Sequence, residues 1–230
     1  MNTRFIVISG LLGVGKTTFS KQLAEKLNYK LMLEPVDSNP YLGRFYKDPV
    51  RWAYPMQEFL KSRRFAMYQF AVWGIRTGEF DGVVMDRSIH EDTVFAEINM
   101  DLGNIHKLNW DTYLRGFQDM QQFCPEPDLY LFLDATPDIC KARSDQRGRG
   151  EEVSTSLGDD TDNGIPLEYM QRLHIGYMDW IADISDRVRV ARLDWTEFLP
   201  VNVAWELAMA QVKSRSRFTR SLVNQDCAQL

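Results

Sequence analysis

Residues 10 to 17 read Gly-Leu-Leu-Gly-Val-Gly-Lys-Thr and directly follow the apolar run Phe5-Ile6-Val7-Ile8. This is the pattern G-x-x-x-x-G-K-T between a predicted strand and a predicted helix, the context that a phosphate-binding loop (P-loop) requires. Its glycines let the main chain turn N–H groups inward, and the helix that follows adds the positive end of its dipole. The sequence therefore predicts a protein that binds a nucleoside triphosphate.

Each residue of the loop has an expected role. Lys16 is expected to reach the outer phosphates of ATP, and the Thr17 hydroxyl is expected to ligate Mg²⁺. The other expected contacts to the triphosphate come from the loop and the first helical turn: Gly10, Gly13, Val14, Gly15 and Thr18.

Composition limits the class of protein. Hydrophobic residues make up 44% of the 230 residues, enough for a buried core, and the net charge of −5 offers no basic footprint for nucleic acid or an anionic membrane. Three widely spaced cysteines, Cys124, Cys140 and Cys227, argue against a disulfide framework. With no apolar run of about 18 residues and no secretory signal, we expect a cytoplasmic protein with neither a nucleic-acid nor a membrane partner.

Short apolar runs alternate with longer amphipathic stretches, which predicts βαβ units. Strands are predicted near residues 4–9, 30–33, 82–86, 128–134 and 187–193. Helices are predicted near residues 16–27, 50–79, 89–101, 109–123, 137–149, 166–185 and 200–214. The expected fold class is therefore α/β, a P-loop fold with a central parallel five-stranded sheet flanked by helices on both faces. One domain is expected over residues 1–214, with a flexible tail over 215–230.

Three predicted strands end at an acidic residue: Glu34, Asp86 and Asp134. Ligands of open α/β sheets bind beyond the carboxyl ends of the strands, so these acids are expected on the rim that holds the P-loop. Asp134 alone suits a helix cap or a loop equally well. Together, the three acids favour a functional site at this rim.

The chemistry that a kinase needs is available there. The guanine-reading N-K-x-D pattern of small GTPases is absent, which disfavours that branch of P-loop proteins. Transfer to an alcohol needs a carboxylate to orient the hydroxyl and take its proton, and Glu34 suits this role. Asp86 suits Mg²⁺ support, and Arg87 offers a planar fork for phosphate or the acceptor oxygen.

A second group of cations lies between residues 141 and 152, where Lys141, Arg143, Arg147 and Arg149 precede a polar stretch at 153–164. One interpretation is a solvated helix with internal ion pairs. The other is a closing lid, about residues 141–164, that carries arginines to the triphosphate and excludes water.

Several further motifs and single residues occur in order along the chain: Glu34-Pro35-Val36, the run from Tyr46 to Trp52, Gln57, Arg64, Asp86-Arg87-Ser88, Asp92, the run from Arg147 to Glu152, and the run from Leu193 to Phe198. Together they resemble the deoxynucleoside kinase family over roughly residues 4–200. The stretch 153–164 resembles an insertion relative to that family.

The resemblance implies roles for residues that spacing alone does not assign. Glu34 is implied as the base on the sugar 5′-hydroxyl, with Arg87, Arg147 and Arg149 stabilising the developing charge. Tyr46 and Glu152 are implied at the 3′-hydroxyl. Base-reading residues are implied at Gln57, Arg64 and Asp92. Donor contacts are implied at Arg143, Asp194, Trp195 and Phe198.

The resulting hypothesis is an ATP- and Mg²⁺-dependent deoxynucleoside kinase that favours purine deoxynucleosides or deoxycytidine. A homodimer is implied by the resemblance, with the long helix 50–79 as a candidate interface. Two alternatives stay open: a nucleoside monophosphate kinase of the thymidylate kinase type, and a binding subunit derived from a kinase that no longer catalyses a reaction.

Overall fold

A parallel five-stranded sheet lies at the centre of the protein, in the order β2-β3-β1-β4-β5. The structure is a computed structural model and describes residues 3–34, 39–147 and 165–226, with side chains as far as residue 214. The strands are β1 (Phe5–Gly10), β2 (Lys30–Met32), β3 (Val83–Asp86), β4 (Leu129–Asp134) and β5 (Val190–Asp194). The predicted parallel α/β sheet is confirmed.

Helices flank this sheet and join its strands. They are α1 (Lys16–Leu27), α2 (Leu42–Lys47), α3 (Pro49–Thr77), α4 (Asp92–Asp101), α5 (Lys107–Gln121), α6 (Pro137–Arg147), α7 (Leu167–Ile184) and α8 (Val201–Asp226), with a 3₁₀ turn at Ile89–Glu91. Among the residues with described positions, no helix is long and apolar enough to cross a membrane.

Most predicted boundaries differ from the observed ones by at most three residues, and two features differ by more. The short helix α2 was not predicted, because six residues are too few to show a helical period. Helix α8 was predicted to end near residue 214 but continues to Asp226. Its sequence contains neither glycine nor proline, so nothing in the local chain interrupts the helix.

The central strands explain where the site forms. All residues of β1 and β3 are buried, as expected for strands covered on both faces. Ile8 of β1 is in register with Asp86 of β3, so the P-loop and the Asp86-Arg87 pair leave the sheet at the same edge. The main-chain N–H of Arg87 also donates to the carbonyl of Ile8 over 3.1 Å. The fold thus places the loop and these two side chains together.

Candidate active site

The P-loop needs its glycines for both backbone angle and space. Gly10, Gly13 and Gly15 have φ angles of 144°, 78° and 102°, in the region that side chains disfavour. A Cβ on Gly13 would lie 2.2 Å from the carbonyl oxygen of Cys140 in α6. The loop is therefore packed tightly against α6, and its path is set by the main chain.

Lys16 is buried at the base of the loop. Its ammonium donates to the carbonyls of Gly10 and Leu11 over 3.0 and 2.7 Å. Burial, together with the positive charge of Arg87, lowers the pKa of Lys16 to about 7. A triphosphate beside this ammonium would favour its charged form, because an opposite charge counteracts desolvation.

Thr17 and Asp86 form a small oxygen-rich corner. The Thr17 hydroxyl donates to Asp86 Oδ2 over 2.6 Å, and burial raises the pKa of Asp86. The other oxygen of Asp86 is buried and has no hydrogen-bond partner among the described residues. Since Mg²⁺ prefers oxygen ligands and keeps several from water and phosphate, this corner fits the predicted magnesium site.

Many of the residues predicted to contact ATP or the acceptor line one cleft of about 560 Å³. This cleft runs from the P-loop to α3. Ten of its lining residues were predicted site residues, nine of which are Gly13, Lys16, Thr17, Glu34, Tyr46, Gln57, Arg64, Asp86 and Arg87. Arg147, at the end of α6, lines it as well.

Glu34 lies in this cleft between two arginines. Its Oε1 is paired with Arg64 Nη2, and its Oε2 lies 3.1 Å from Arg87 Nε. Burial opposes the ionisation of Glu34, but the positive charges of Arg64 and Arg87 outweigh it and hold the pKa at about 2. Glu34 is therefore an anion at any physiological pH.

Arg64 joins Glu34 to Asp92. Its other terminal nitrogen, Nη1, pairs with Oδ1 of Asp92, and both side chains are buried. The ring of Phe95 lies beneath both guanidiniums, 5.8 Å from Arg64 and 4.7 Å from Arg87. The sequence-based hypothesis had placed Arg64 beside the base only, and the structure adds its contact with the predicted catalytic carboxylate.

The inner end of the cleft suits a flat, partly polar group. Gln57 is buried there, and its Oε1 has no hydrogen-bond partner within the described part of the chain. Oδ2 of Asp92, whose other oxygen pairs with Arg64, is also buried without such a partner, but Asp92 is not among the residues that line the cleft. Apolar and aromatic side chains complete the wall: Leu33, Met56, Leu60, Phe95, Ile165 and Tyr169. Such a pocket can bind a ring by its faces and recognise its polar edge.

Glu91 is a site residue that sequence reasoning missed. It is fully buried and accepts hydrogen bonds from Ser9, Ser88 and Tyr177, and Arg87 Nη1 lies 3.4 Å from it. The Ser88-x-x-Glu91 spacing is a capping-box signal visible in the sequence. That signal explains Glu91 as a helix cap, but the contacts with Ser9 and Tyr177 arise only from the fold.

A second cavity, of about 750 Å³, lies on the other side of the P-loop. Gly15, Thr18, Trp195 and Phe198 line it. Arg143 Nη1 and Nη2 donate to the carbonyls of Trp195 and Thr196 over 3.0 and 2.7 Å, and the guanidinium carbon lies 4.1 Å from the Phe198 ring centre. The residues predicted to contact ATP on α6 (Arg143) and after β5 (Trp195 and Phe198) are thus neighbours.

Other predicted residues lie apart from the cleft. Asp134 pairs with Arg192 and lies 3.5 Å from His174, and it is not among the residues that line the cleft. Asp194 is exposed and accepts from the main-chain N–H of Thr196 over 2.9 Å. Val14 is buried under the loop, so its side chain faces the core. Arg149 and Glu152, and with them most of the predicted lid, lie outside the described residues.

Comparison with known proteins agrees with this geometry. Residues 6–215 match the deoxynucleoside kinase family. A deoxyadenosine kinase of Dictyostelium discoideum is 34% identical over 91% of this chain and 79% of that protein. A deoxyadenosine/deoxycytidine kinase of Bacillus subtilis is 36% identical over 78% of this chain and 77% of that protein.

Comparison with solved structures also finds a deoxyadenosine kinase of similar fold. A deoxyadenosine kinase from M. mycoides with bound dCTP superposes with a TM-score of 0.74 and 26% identity, over 91% of this chain and 99% of that one. The same enzyme with bound dATP gives a TM-score of 0.71.

Proposed function

The chain belongs to the deoxynucleoside kinase family, and on that premise we propose that it transfers the γ-phosphoryl group of ATP to the 5′-hydroxyl of a deoxynucleoside. The products are ADP and the deoxynucleoside 5′-monophosphate, as in nucleotide salvage. One observation carries the proposal: Glu34, fixed between Arg64 and Arg87, lines the same cleft as the P-loop Lys16 and Thr17.

Glu34 acts on the acceptor. Its ionised carboxylate accepts a hydrogen bond from the 5′-hydroxyl and aims the oxygen at the γ-phosphorus. A new P–O bond forms as the bond to the β-phosphate oxygen breaks, and the hydroxyl proton passes to Glu34. A pKa of about 2 makes Glu34 a weak base, so it takes the proton late and contributes mainly by orientation.

Cationic side chains stabilise the charge that spreads over the transferred oxygens. Lys16 and the loop amides contact the β- and γ-phosphates, and Arg87 contacts the transferred group from the opposite wall. Arg147 lines the cleft, and we assign it and Arg149 to the same role.

Thr17 and Asp86 are the residues that would hold Mg²⁺. Their oxygens lie together, and one Asp86 oxygen is buried without a protein partner within the described ranges. When bound, Mg²⁺ supplies positive charge against the β- and γ-phosphates.

The acceptor is proposed to be a purine deoxynucleoside or deoxycytidine. Gln57 offers a donor and an acceptor to the base edge, and Asp92 Oδ2 offers a buried acceptor. Adenine, guanine and cytosine each carry an exocyclic amino group that can donate to such an oxygen, whereas thymine carries none. Tyr46, which lines the cleft, and Glu152 are proposed at the 3′-hydroxyl.

The adenine of ATP is proposed to lie in the second cavity, against Trp195 and Phe198. Arg143 supports this wall through the carbonyls of Trp195 and Thr196. Asp194 fixes the turn by accepting from the Thr196 N–H. Val14 is proposed to contribute its main-chain N–H rather than its buried side chain.

We also propose a cytoplasmic homodimer. Cys124 and Cys140 are buried free thiols, which suits a reducing compartment. On α3, Phe70 and Trp73 stack with ring centres 5.7 Å apart and are about half exposed, which supports this helix as an interface. Sedimentation of the wild type beside Trp73→Lys tests it, since a dimer through α3 should dissociate in the variant.

The reaction is tested by transfer of labelled γ-phosphate from Mg²⁺-ATP. The acceptor panel contains the four deoxynucleosides, the four ribonucleosides and their monophosphates. We expect product with deoxyadenosine, deoxyguanosine or deoxycytidine, and little with thymidine. Product from monophosphates alone would replace the proposal with a nucleoside monophosphate kinase, and no product from any acceptor would reject catalysis.

A further inference from the structure

Arg87 is held by more groups than its contact with Glu34 requires. It is the only described residue besides Asn28 that is not glycine and yet has a positive φ angle, 66°. This conformation is disfavoured for a residue with a side chain, because its Cβ crowds the main chain. Arg87 is also 1% exposed, so its guanidinium needs compensating charge.

Two groups that do not line the cleft hold the Arg87 guanidinium: the Glu91 carboxylate supplies the charge, and the Tyr177 hydroxyl supplies a hydrogen-bond acceptor. Arg87 Nη1 donates to the Tyr177 hydroxyl, which in turn donates to Glu91 Oε2, and the same Glu91 oxygen lies 3.4 Å from Nη1. Burial holds the pKa of the Tyr177 hydroxyl well above its ordinary value, so it stays protonated and can donate. Arg87, Tyr177 and Glu91 thus form a closed triangle.

Glu91 is itself held by hydrogen bonds from two groups near the carboxyl ends of β1 and β3. Its Oε1 accepts from the Ser9 hydroxyl over 3.1 Å and from the Ser88 N–H over 2.9 Å. Ser9 belongs to β1, directly before the P-loop, and Ser88 follows β3. The carboxylate therefore ties Arg87 to the two strands that carry the predicted donor and acceptor residues.

The geometry points to Glu91 and Tyr177 as positioning residues that hold Arg87 in place while Glu34 takes up the acceptor's proton. During transfer Glu34 becomes neutral, and Arg87 loses its ionic partner on the cleft side. Glu91 does not line the cleft, so the acceptor's proton does not reach it, and it keeps its charge and its contact with Arg87. Nη2 of Arg87 has no partner among the described residues, so it is available to donate to the transferred group.

This inference rests on the proposed kinase reaction and is tested by a double-mutant cycle. Glu91→Gln removes the charge but keeps a carbonyl oxygen that can accept from Ser9 and Ser88. We expect kcat to fall about 10-fold or more with KM for ATP and for the acceptor little changed, since the contact matters in the transition state. Tyr177→Phe should lower kcat by less, about threefold, because it removes the hydroxyl's hydrogen bonds with Arg87 and Glu91 but leaves the charge of Glu91 beside Arg87.

The second half of the cycle separates positioning from stability. In an Arg87→Lys background, Glu91→Gln should cost less than about twofold more, because the residue that it positions is gone. Tyr68→Phe is the matched control: this equally buried hydroxyl donates to the carbonyl of Pro125 and not to Arg87. It should lower stability and leave kcat unchanged.

Three results would overturn the inference. They are an unchanged kcat in Glu91→Gln, multiplicative losses in the Arg87→Lys background, or a fall in melting temperature with full activity per folded molecule. If Glu91→Gln does not fold, the same cycle with Tyr177→Phe decides. A wild type inactive on every acceptor rejects the proposed function and this role together, whereas an active wild type with a fully active Glu91→Gln rejects this role alone.

Discussion

The two walls of the cleft differ in the kind of group that makes their contacts. On the donor wall the contacts come from main chain: three glycines with positive φ shape the loop, and Lys16 donates to two carbonyls of the loop itself. On the acceptor wall the contacts come from charged side chains on four separate segments of the chain: Glu34 after β2, Arg64 on α3, Arg87 after β3 and Asp92 on α4 pair with one another.

This difference has a consequence for substitution. A main-chain site depends on backbone path and tolerates changes in distant side chains, whereas a buried charge network depends on each partner. Changes on the donor wall should therefore weaken ATP binding, and changes on the acceptor wall should slow transfer or alter acceptor choice with ATP binding retained.

The largest effect is expected on the acceptor wall, from Glu34→Gln. This variant keeps the side-chain shape but removes the proton acceptor, so kcat should fall about 10²–10⁴-fold. Steady-state kinetics with the preferred deoxynucleoside measures it, with the exposed Glu97→Gln of α4 as the control. Wild-type turnover in Glu34→Gln would remove Glu34 from the role of base.

Lys16→Met tests a buried positive charge of the donor wall. Turnover should fall about 10²–10³-fold, as when one preorganised charge donor is lost. Stability without nucleotide should rise, because the folded protein no longer buries an ammonium whose pKa is lowered from 10.5 to about 7.

The lowered pKa of Lys16 also predicts how the stability of the wild type changes with pH. Between pH 7 and 10.5 the unfolded chain keeps Lys16 protonated while the folded protein releases the proton, so wild-type stability rises with pH in this window. The advantage of Lys16→Met should be full below pH 7 and shrink towards pH 10.5. Denaturant unfolding at several pH values measures it, with the exposed Lys107→Met as control. An advantage independent of pH would contradict the desolvation argument.

Gly13→Ala tests the main-chain path. Its Cβ would meet the Cys140 carbonyl oxygen at 2.2 Å, and φ is 78°. Overpacking of this kind costs about 1–3 kcal/mol, so ATP affinity should fall about 10–100-fold. Gly78→Ala is the matched control, because φ is again 78° but nothing lies within 4 Å of the added Cβ. Equal ATP affinity in both variants would show that the contact with α6 does not set the loop.

Asp92→Asn should have the smallest effect and a specific one. The asparagine amide can donate to the O4 carbonyl of thymine, which the carboxylate repels. The ratio of kcat/KM for deoxyadenosine over thymidine should fall about tenfold, the cost of one mismatched buried polar contact. An unchanged ratio would place base selection elsewhere, with Gln57→Glu as the next variant.

Local sequence was enough for the donor wall and for most of the fold. The G-x-x-x-x-G-K-T run is contiguous, and its function follows from backbone conformations that glycine alone adopts easily. The apolar runs of β1, β3 and β4 identify buried parallel strands for the same reason, since burial on both faces leaves a continuous pattern.

The acceptor wall was only partly predictable. Glu34 and Arg87 follow strands and are found by that rule, but the pairing of Arg64 with both Glu34 and Asp92 depends on how α3 packs on the sheet. The contact of Tyr177 with Glu91 joins residues 86 positions apart, and no local pattern records it. Asp134 lies at the end of a strand, as the sequence rule requires, but it pairs with Arg192, lies near His174 and does not line the cleft.

Calorimetric titration of ATP into the wild type, Glu34→Gln and Gly13→Ala, side by side, tests the difference between the two walls most directly. We expect Glu34→Gln to bind ATP within about threefold of the wild type, because Glu34 is assigned to the acceptor hydroxyl and not to the triphosphate, while Gly13→Ala should bind ATP at least about tenfold more weakly. Loss of ATP affinity in Glu34→Gln as large as that in Gly13→Ala would contradict it, because the two walls would then act as one site.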